Sequence, residues 1–159
     1  MKAKPMPSSI FTAPEYDAAR ERKKKAAIIV VICVVVLAAA ALWWFRYWPQ
    51  ERIVDRFFTT LQARDYKTAY GIWQNDPQWE QHPQQYSQYP FNDFYRDWGP
   101  GGDWGLLKDH HVDCAVRPPG GNGVVVVVTV NGRVDKAKVW VLKQDKTLSF
   151  ADVFTVQCR

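Results

Sequence analysis

Hydrophobic positions follow three different rhythms along the chain. From Ala26 to Phe45 twenty consecutive residues, AAIIVVICVVVLAAAALWWF, carry no charge. As a helix such a segment reaches about 30 Å, the thickness of a bilayer's hydrocarbon core, and it satisfies every backbone amide within itself. A transmembrane helix over 26–45 is therefore expected, with Pro49 ending or kinking it. Helical spacing then takes over. Ile53, Val54, Phe57, Phe58 and Leu61 mark one helix. Tyr66, Ala69, Tyr70 and Trp73, behind a capping Asp65, mark a second. After a Gln-, Pro- and Tyr-rich stretch over 74–90, with a short helical piece around Trp79, a third helix carries Phe91, Phe94, Tyr95 and Trp98 and stops at Gly99.

Past Gly99 the period becomes that of extended chain. Four strands are predicted: Leu106 to Val116, Val124 to Val130, Val134 to Lys143 and Leu148 to Val156. Asn131-Gly132 is a hairpin signal, because both residue types tolerate positive φ, and it pairs the second and third strands antiparallel. Val124 to Val128 is apolar on both faces and belongs in the middle of the sheet. On the third strand Trp140 and Leu142 share one face, and Ala137, Val139 and Val141 share the other. On the fourth, Leu148, Phe150, Phe154 and Val156 share a face. Helices first and antiparallel strands afterwards make an α+β domain, with the helices across one face of a curved sheet.

VDRFFTTLQARDYKTAYGIW (Val54 to Trp73), VVVVVTVNGR (Val124 to Arg133) and KVWVLKQDKTLSFADV (Lys138 to Val153) together resemble the nuclear transport factor 2-like superfamily, the cystatin-like cone, including its uncharacterised membrane-anchored bacterial members. The similarity covers roughly residues 50–156. It implies a helical layer opening onto a bent sheet that closes around a conical cavity. The superfamily holds isomerases, dehydratases, small-ligand binders, assembly domains and secretion components, so the resemblance implies a shape and no particular chemistry.

Charge refines the layout. The formal net charge is +5, but residues 1–45 hold seven Lys/Arg against three Asp/Glu, and residues 46–159 hold fourteen against thirteen. The domain itself is near neutral, which argues against a nucleic-acid partner. Arg20, Arg22, Lys23, Lys24 and Lys25 stand before the apolar run, and Trp43, Trp44, Tyr47 and Trp48 follow or close it as a headgroup-level aromatic belt. Basic residues stay cytoplasmic, so the expected layout is a cytoplasmic tail over 1–25, a single span over 26–45 and an extracytoplasmic, periplasmic domain over 46–159, in the inner membrane of a bacterial cell. A cleaved signal peptide, with Ala38 to Ala41 near the cut, is the competing reading; its leading basic region would be unusually long. In the tail Thr12-Ala13-Pro14-Glu15 reads as a helix entry, and Ile10, Phe11 and Tyr16 are candidate docking side chains.

The search for chemistry returns little. Asp109-His110-His111-Val112-Asp113-Cys114 is the densest polar cluster. Strand alternation puts Asp109, His111 and Asp113 on one face and His110, Val112 and Cys114 on the other, so the two histidines do not share a metal. The bland expectation is a solvated sheet face. A Cys114–Cys158 disulfide would tie the C-terminus to the sheet, but the first and fourth strands need not be neighbours, and free thiols are expected. No cofactor or metal is expected. Nine aromatic residues from Trp73 to Trp104 serve core packing first. Among them Trp79, Tyr86, Tyr89 and Trp104 are candidate partner contacts, because large rings bring contact area at little entropic cost. The function expected is that of a non-enzymatic accessory or assembly subunit of a larger membrane complex, whether respiratory, photosynthetic, secretory or envelope-building. A small-molecule-binding cone and an isomerase- or dehydratase-type enzyme stand as alternatives.

Overall fold

A computed structural model describes residues 18–151, 156 and 158, with side chains from residue 21 onward. The chain divides into two compact units at Trp44/Phe45.

The first unit contains α1 (Ala18–Trp44), 27 residues long. It is long and apolar enough to cross a membrane. Ile28, Val31, Val35 and Leu42 are all more than half exposed, a surface that water penalises by about 25 cal/mol per Å² and hydrocarbon does not. Arg22, Lys23, Lys24 and Lys25 are exposed at its N-terminal end. Ile10, Phe11 and Tyr16 lie outside the described residues, as does the side chain of Arg20.

The second unit opens with a turn at 45–47 and then α2 (Trp48–Gln62). Pro49 sits in the first turn of α2, where its missing N–H costs nothing and its fixed φ suits the helix. The break therefore falls just before Pro49, not at it. Val54, Phe57, Phe58 and Leu61 form the buried stripe of α2. The Asp65 carboxylate accepts from the Thr68 N–H at 3.1 Å and caps α3 (Tyr66–Trp73). Two short 3-10 turns (Trp79–Gln81 and Pro83–Tyr86) lead to α4 (Phe91–Trp98). Gly99 closes α4 for a steric reason, since a Cβ there would stand 2.2 Å from the Tyr95 carbonyl oxygen.

The sheet is an antiparallel meander in the order β1 (His110–Val116), β2 (Gly123–Val130), β3 (Lys136–Leu142), β4 (Leu148–Phe150). Asn131 and Gly132 both adopt positive φ, 52° and 64°, and the Arg133 N–H closes the turn onto the Val130 carbonyl at 3.0 Å. β2 is buried on both faces. Val124, Val126, Val128 and Val130 meet the helices in one core with Phe57, Phe58, Trp73, Phe94 and Trp98. Val125 and Val127 lie in a second, smaller core with Trp140 and Ala151. The expected division of β3 holds: Ala137, Val139 and Val141 face the helices, and Trp140 and Leu142 face away.

Three expectations need correction. β1 begins at His110, not Leu106, because the preceding backbone bonds to a side chain instead of a strand: Asn131 Oδ1 accepts from Lys108 N–H at 2.8 Å, and Asn131 Nδ2 donates to the Leu106 carbonyl at 3.0 Å. Second, a bulge lies between Val112 and Cys114. An extra residue in a strand reverses the alternation beyond it. Cys114 consequently pairs with Val127 and joins the second core, on the face opposite His110 and Val112. Third, Cys114 and Cys158 are joined in a disulfide, with Cα atoms 5.8 Å apart. The expectation of free thiols rests on the first and fourth strands not needing to be neighbours, and β1 and β4 are indeed not paired. The bridge forms because Cys114 faces the second core, where Ala151 and Val156 also pack. β4 ends at Phe150 among the described residues, and Phe154 lies outside them.

Candidate partner-contact surface

Between Trp73 and Trp104 the rings divide by depth. Trp73, Phe94 and Trp98 are buried, and Phe57 meets all three at centroid distances from 5.1 to 6.1 Å. Trp79 is buried as well: its Nε1–H donates to the Lys67 carbonyl at 3.1 Å and its ring stacks on Phe91 at 5.1 Å. Of the four rings expected at a partner contact, Trp79 thus lies in the core. Tyr86, Tyr89 and Trp104 are half-buried, packed against the same core. The Arg133 guanidinium lies 5.0 Å over the Trp104 ring, an attraction between a cation and the ring's negative face.

At the start of the second unit, two arginines lie over aromatic rings. Arg46 stands 4.6 Å over the Tyr47 ring and Arg52 stands 5.1 Å over Trp48. Trp48 keeps half its surface exposed. Trp43 and Trp44, in the first unit, are also exposed.

The β1 histidines serve different ends. The His110 side chain is tucked between α2 and the sheet, its ring stacked on Phe58 at 5.6 Å. Its Nδ1 lies 2.8 Å from Gln62 Oε1 and its Nε2 lies 3.2 Å from Asp55 Oδ1. This pins helix to sheet. His111 is exposed on the other face. Asp113, the bulge residue, accepts from the Thr129 hydroxyl at 2.8 Å and pairs with Lys136 Nζ at 3.4 Å, and Lys136 also donates to that hydroxyl. Asp113 is therefore one member of a three-residue network across β1, β2 and β3, more than a solvated carboxylate. Among the described residues no group of three or more His, Cys, Asp or Glu side chains could hold a metal ion.

One polar cluster gives no sequence signal. Asp76 Oδ2 receives the Tyr86 hydroxyl at 2.7 Å and His82 Nε2 at 2.5 Å, while Asp76 Oδ1 accepts from Gln78 N–H at 2.9 Å. The Tyr86 hydroxyl is the main cause that holds the Asp76 carboxyl below its ordinary range. The same bond, with some burial, pushes the Tyr86 phenol up to about 12. Burial, then the bond to Asp97, raises Tyr89; its hydroxyl donates to Asp97 Oδ2 at 2.9 Å. These bonds fold the Gln-rich stretch onto itself. No spacing rule reveals them, because they depend on the path of two 3-10 turns.

Open grooves mark the surface of the described residues. One of about 620 Å³ runs between α2, α3 and the 75–80 loop, past Ile53, Arg56, Lys67 and Trp79. Another of about 450 Å³ lies between the second 3-10 turn and β4. The core between helices and sheet packs the rings of Phe57, Phe58, Tyr70, Trp73, Phe94 and Trp98.

The chain matches no protein-family model, no curated protein and no solved structure.

Proposed function

We propose that this chain is a single-pass protein of the bacterial inner membrane, with a cytoplasmic N-terminal tail and a periplasmic α+β domain, and that it works as a non-enzymatic accessory or assembly subunit of a larger membrane complex. The carrying observation is the ring-packed core. Where a cone enzyme or a cone-type binder would keep a cavity with a convergent acid or base, the core of this domain packs the rings of Phe57, Phe58, Tyr70, Trp73, Phe94 and Trp98, and the His110 side chain is engaged in holding α2 to β1. Two further observations support the placement. The Cys114–Cys158 disulfide suits an oxidising compartment, and the exposed Arg22 to Lys25 cluster precedes the apolar stretch of α1. Near-neutral charge over 46–159 supports protein and lipid partners over nucleic acid. The order of helices and strands also supports a nuclear transport factor 2-like, cystatin-like assignment, which belongs to this same proposal.

Solubilising the source membrane in mild detergent and capturing the tagged chain tests the reading. It expects a fixed set of membrane proteins in constant ratio to the chain. Recovery of the chain alone under conditions that keep other complexes intact would sink it. Orientation is checked separately: a label-accessible cysteine in a Ser8→Cys variant should react only from the cytoplasmic side.

A further inference from the structure

We propose that the groove between the second 3-10 turn and β4 is a saccharide-binding site that takes a short run of a neutral pyranose chain. This assignment concerns the surface outside the packed core, with Trp73 shared between the two, and stands whether or not the chain is a complex subunit.

The groove's walls are aromatic. Trp73, Tyr86, Tyr89 and Phe150 line a space of about 450 Å³, inside the span of about 300–1,000 Å³ common for ligand sites. Phe150 is 45% exposed although it sits among rings that could have covered it. Trp98 lies parallel to it at 5.8 Å, Trp73 is tilted at 5.1 Å and Tyr89 meets it edge-on at 5.9 Å. An exposed ring braced on three sides is fixed before any ligand arrives, which removes much of the ordering cost of binding. Pyranose rings with mainly equatorial substituents present flat C–H faces, and these suit the electron-rich faces of aromatic rings.

The polar part of the lining narrows the ligand further. It comes from three amides, Gln74, Gln85 and Gln88, together with Ser149. No side chain in the lining carries a charge at neutral pH, since the phenols of Tyr86 and Tyr89 are both raised. A phosphate, nucleotide or carboxylate ligand would need a cation there. Both phenol hydroxyls are also engaged inside the domain, with Asp76 and Asp97, so they are not the donors that a proline-rich peptide's carbonyl spine requires. Gln85 and Gln88 are exposed and each presents an acceptor oxygen beside two donor hydrogens. Sugar hydroxyls likewise donate and accept at one atom, which is the pattern that a side-chain amide matches.

The test uses the full chain in phosphatidylcholine nanodiscs, which contain no sugar headgroup, and titrates it calorimetrically with cellohexaose, chitohexaose and, as a separate ligand, decaproline. Saturable binding of at least one oligosaccharide is expected, weakened about tenfold by Phe150→Ala and by Gln88→Ala. Gln85→Ala, a fully surface change, gives the same reading should Phe150→Ala disturb the fold. Absence of saturable binding by both oligosaccharides overturns the assignment. So does oligosaccharide binding that all three variants leave unchanged. Decaproline binding that these substitutions weaken, with no oligosaccharide bound, would overturn it in favour of an extended peptide.

Discussion

Gln62 presents its amide oxygen, and not its nitrogen, to the ring of His110. The Gln62 Nε2 donates to the Lys108 carbonyl at 2.8 Å, so its Oε1 must be the atom that faces His110 Nδ1, also at 2.8 Å. An amide oxygen only accepts, and Nδ1 is thereby the donor. A single side chain of α2 thus joins the loop before β1 to β1 itself. His110→Ala removes this joint together with the stacking on Phe58, and leaves Gln62 Oε1 unpaired. A loss of about 2–3 kcal/mol is expected in urea unfolding of the full chain. His111→Ala, one residue away on the exposed face, should stay within about 0.5 kcal/mol. Equal effects at the two positions would show that the joint is not a distinct contribution.

Asp113 should behave differently from its exposed neighbour. Its contacts with Thr129 and Lys136 cross three strands at the bulge, so Asp113→Ala is expected to cost about 1 kcal/mol, with the deficit shrinking in a Thr129→Val background. Additive losses in that pair would contradict a shared network.

The disulfide closes a loop with a sequence separation of 44 residues. Chain-entropy reasoning places its contribution at about 4 kcal/mol at most. Reduction, or paired Cys114→Ala and Cys158→Ala substitution, is expected to lower stability by about 2–4 kcal/mol and to increase quenching of tryptophan emission by iodide as Trp140 loses cover. Reduction that changes neither stability nor quenching would mean that the C-terminal residues hold the second core without the bridge.

Acid and alkali should act on the Asp76–Tyr86 bond from opposite sides. Asp76 titrates below its ordinary value in the folded chain, so its stabilisation is present above the unfolded value of about 3.9 and is lost as pH falls through the folded one. Tyr86 is raised to about 12. Its stabilisation is present below the unfolded value of about 10 and is lost as pH rises through the folded one. Unfolding curves of the wild type and Tyr86→Phe should therefore differ by a constant amount from about pH 5 to 9 and converge at both extremes. A difference independent of pH throughout would refute the coupling.

How far the sequence could be read depended on whether contacts are local. Val54, Phe57, Phe58 and Leu61 share a face by spacing alone, and Asn131-Gly132 announces its turn through backbone preference. β2 is apolar at every position from Val124 to Val128 because both its faces are covered. The bulge left no such mark. Asp113 is an ordinary strand residue to any alternation rule, and counting through it put Cys114 on the wrong face and hid the route to Cys158. Nor does the sequence mark the need for Gly121 and Gly123, where a Cβ on either would strike the Trp140 indole, at 2.7 Å and 2.6 Å respectively. Their requirement comes from a ring seventeen or more residues away in the chain. Trp79 resembled a surface ring for a similar reason: its cover is supplied by Phe91, Tyr70 and the backbone of α3.

The most direct test of the subunit reading is capture of the chain from its source membrane in mild detergent, comparing wild type with Trp104→Ala and with a variant lacking residues 1–17. Trp104 is the half-buried ring of the expected contact set that makes no hydrogen bond to a carboxylate, and thermal melting of each variant reports whether the domain stays folded. The account predicts a fixed set of membrane proteins with the wild type, depleted at least about fivefold in each variant while melting is unchanged, since anchor rings commonly carry 2 kcal/mol or more of an interface. A wild-type chain recovered alone, or a partner set retained undiminished by both folded variants, would contradict it.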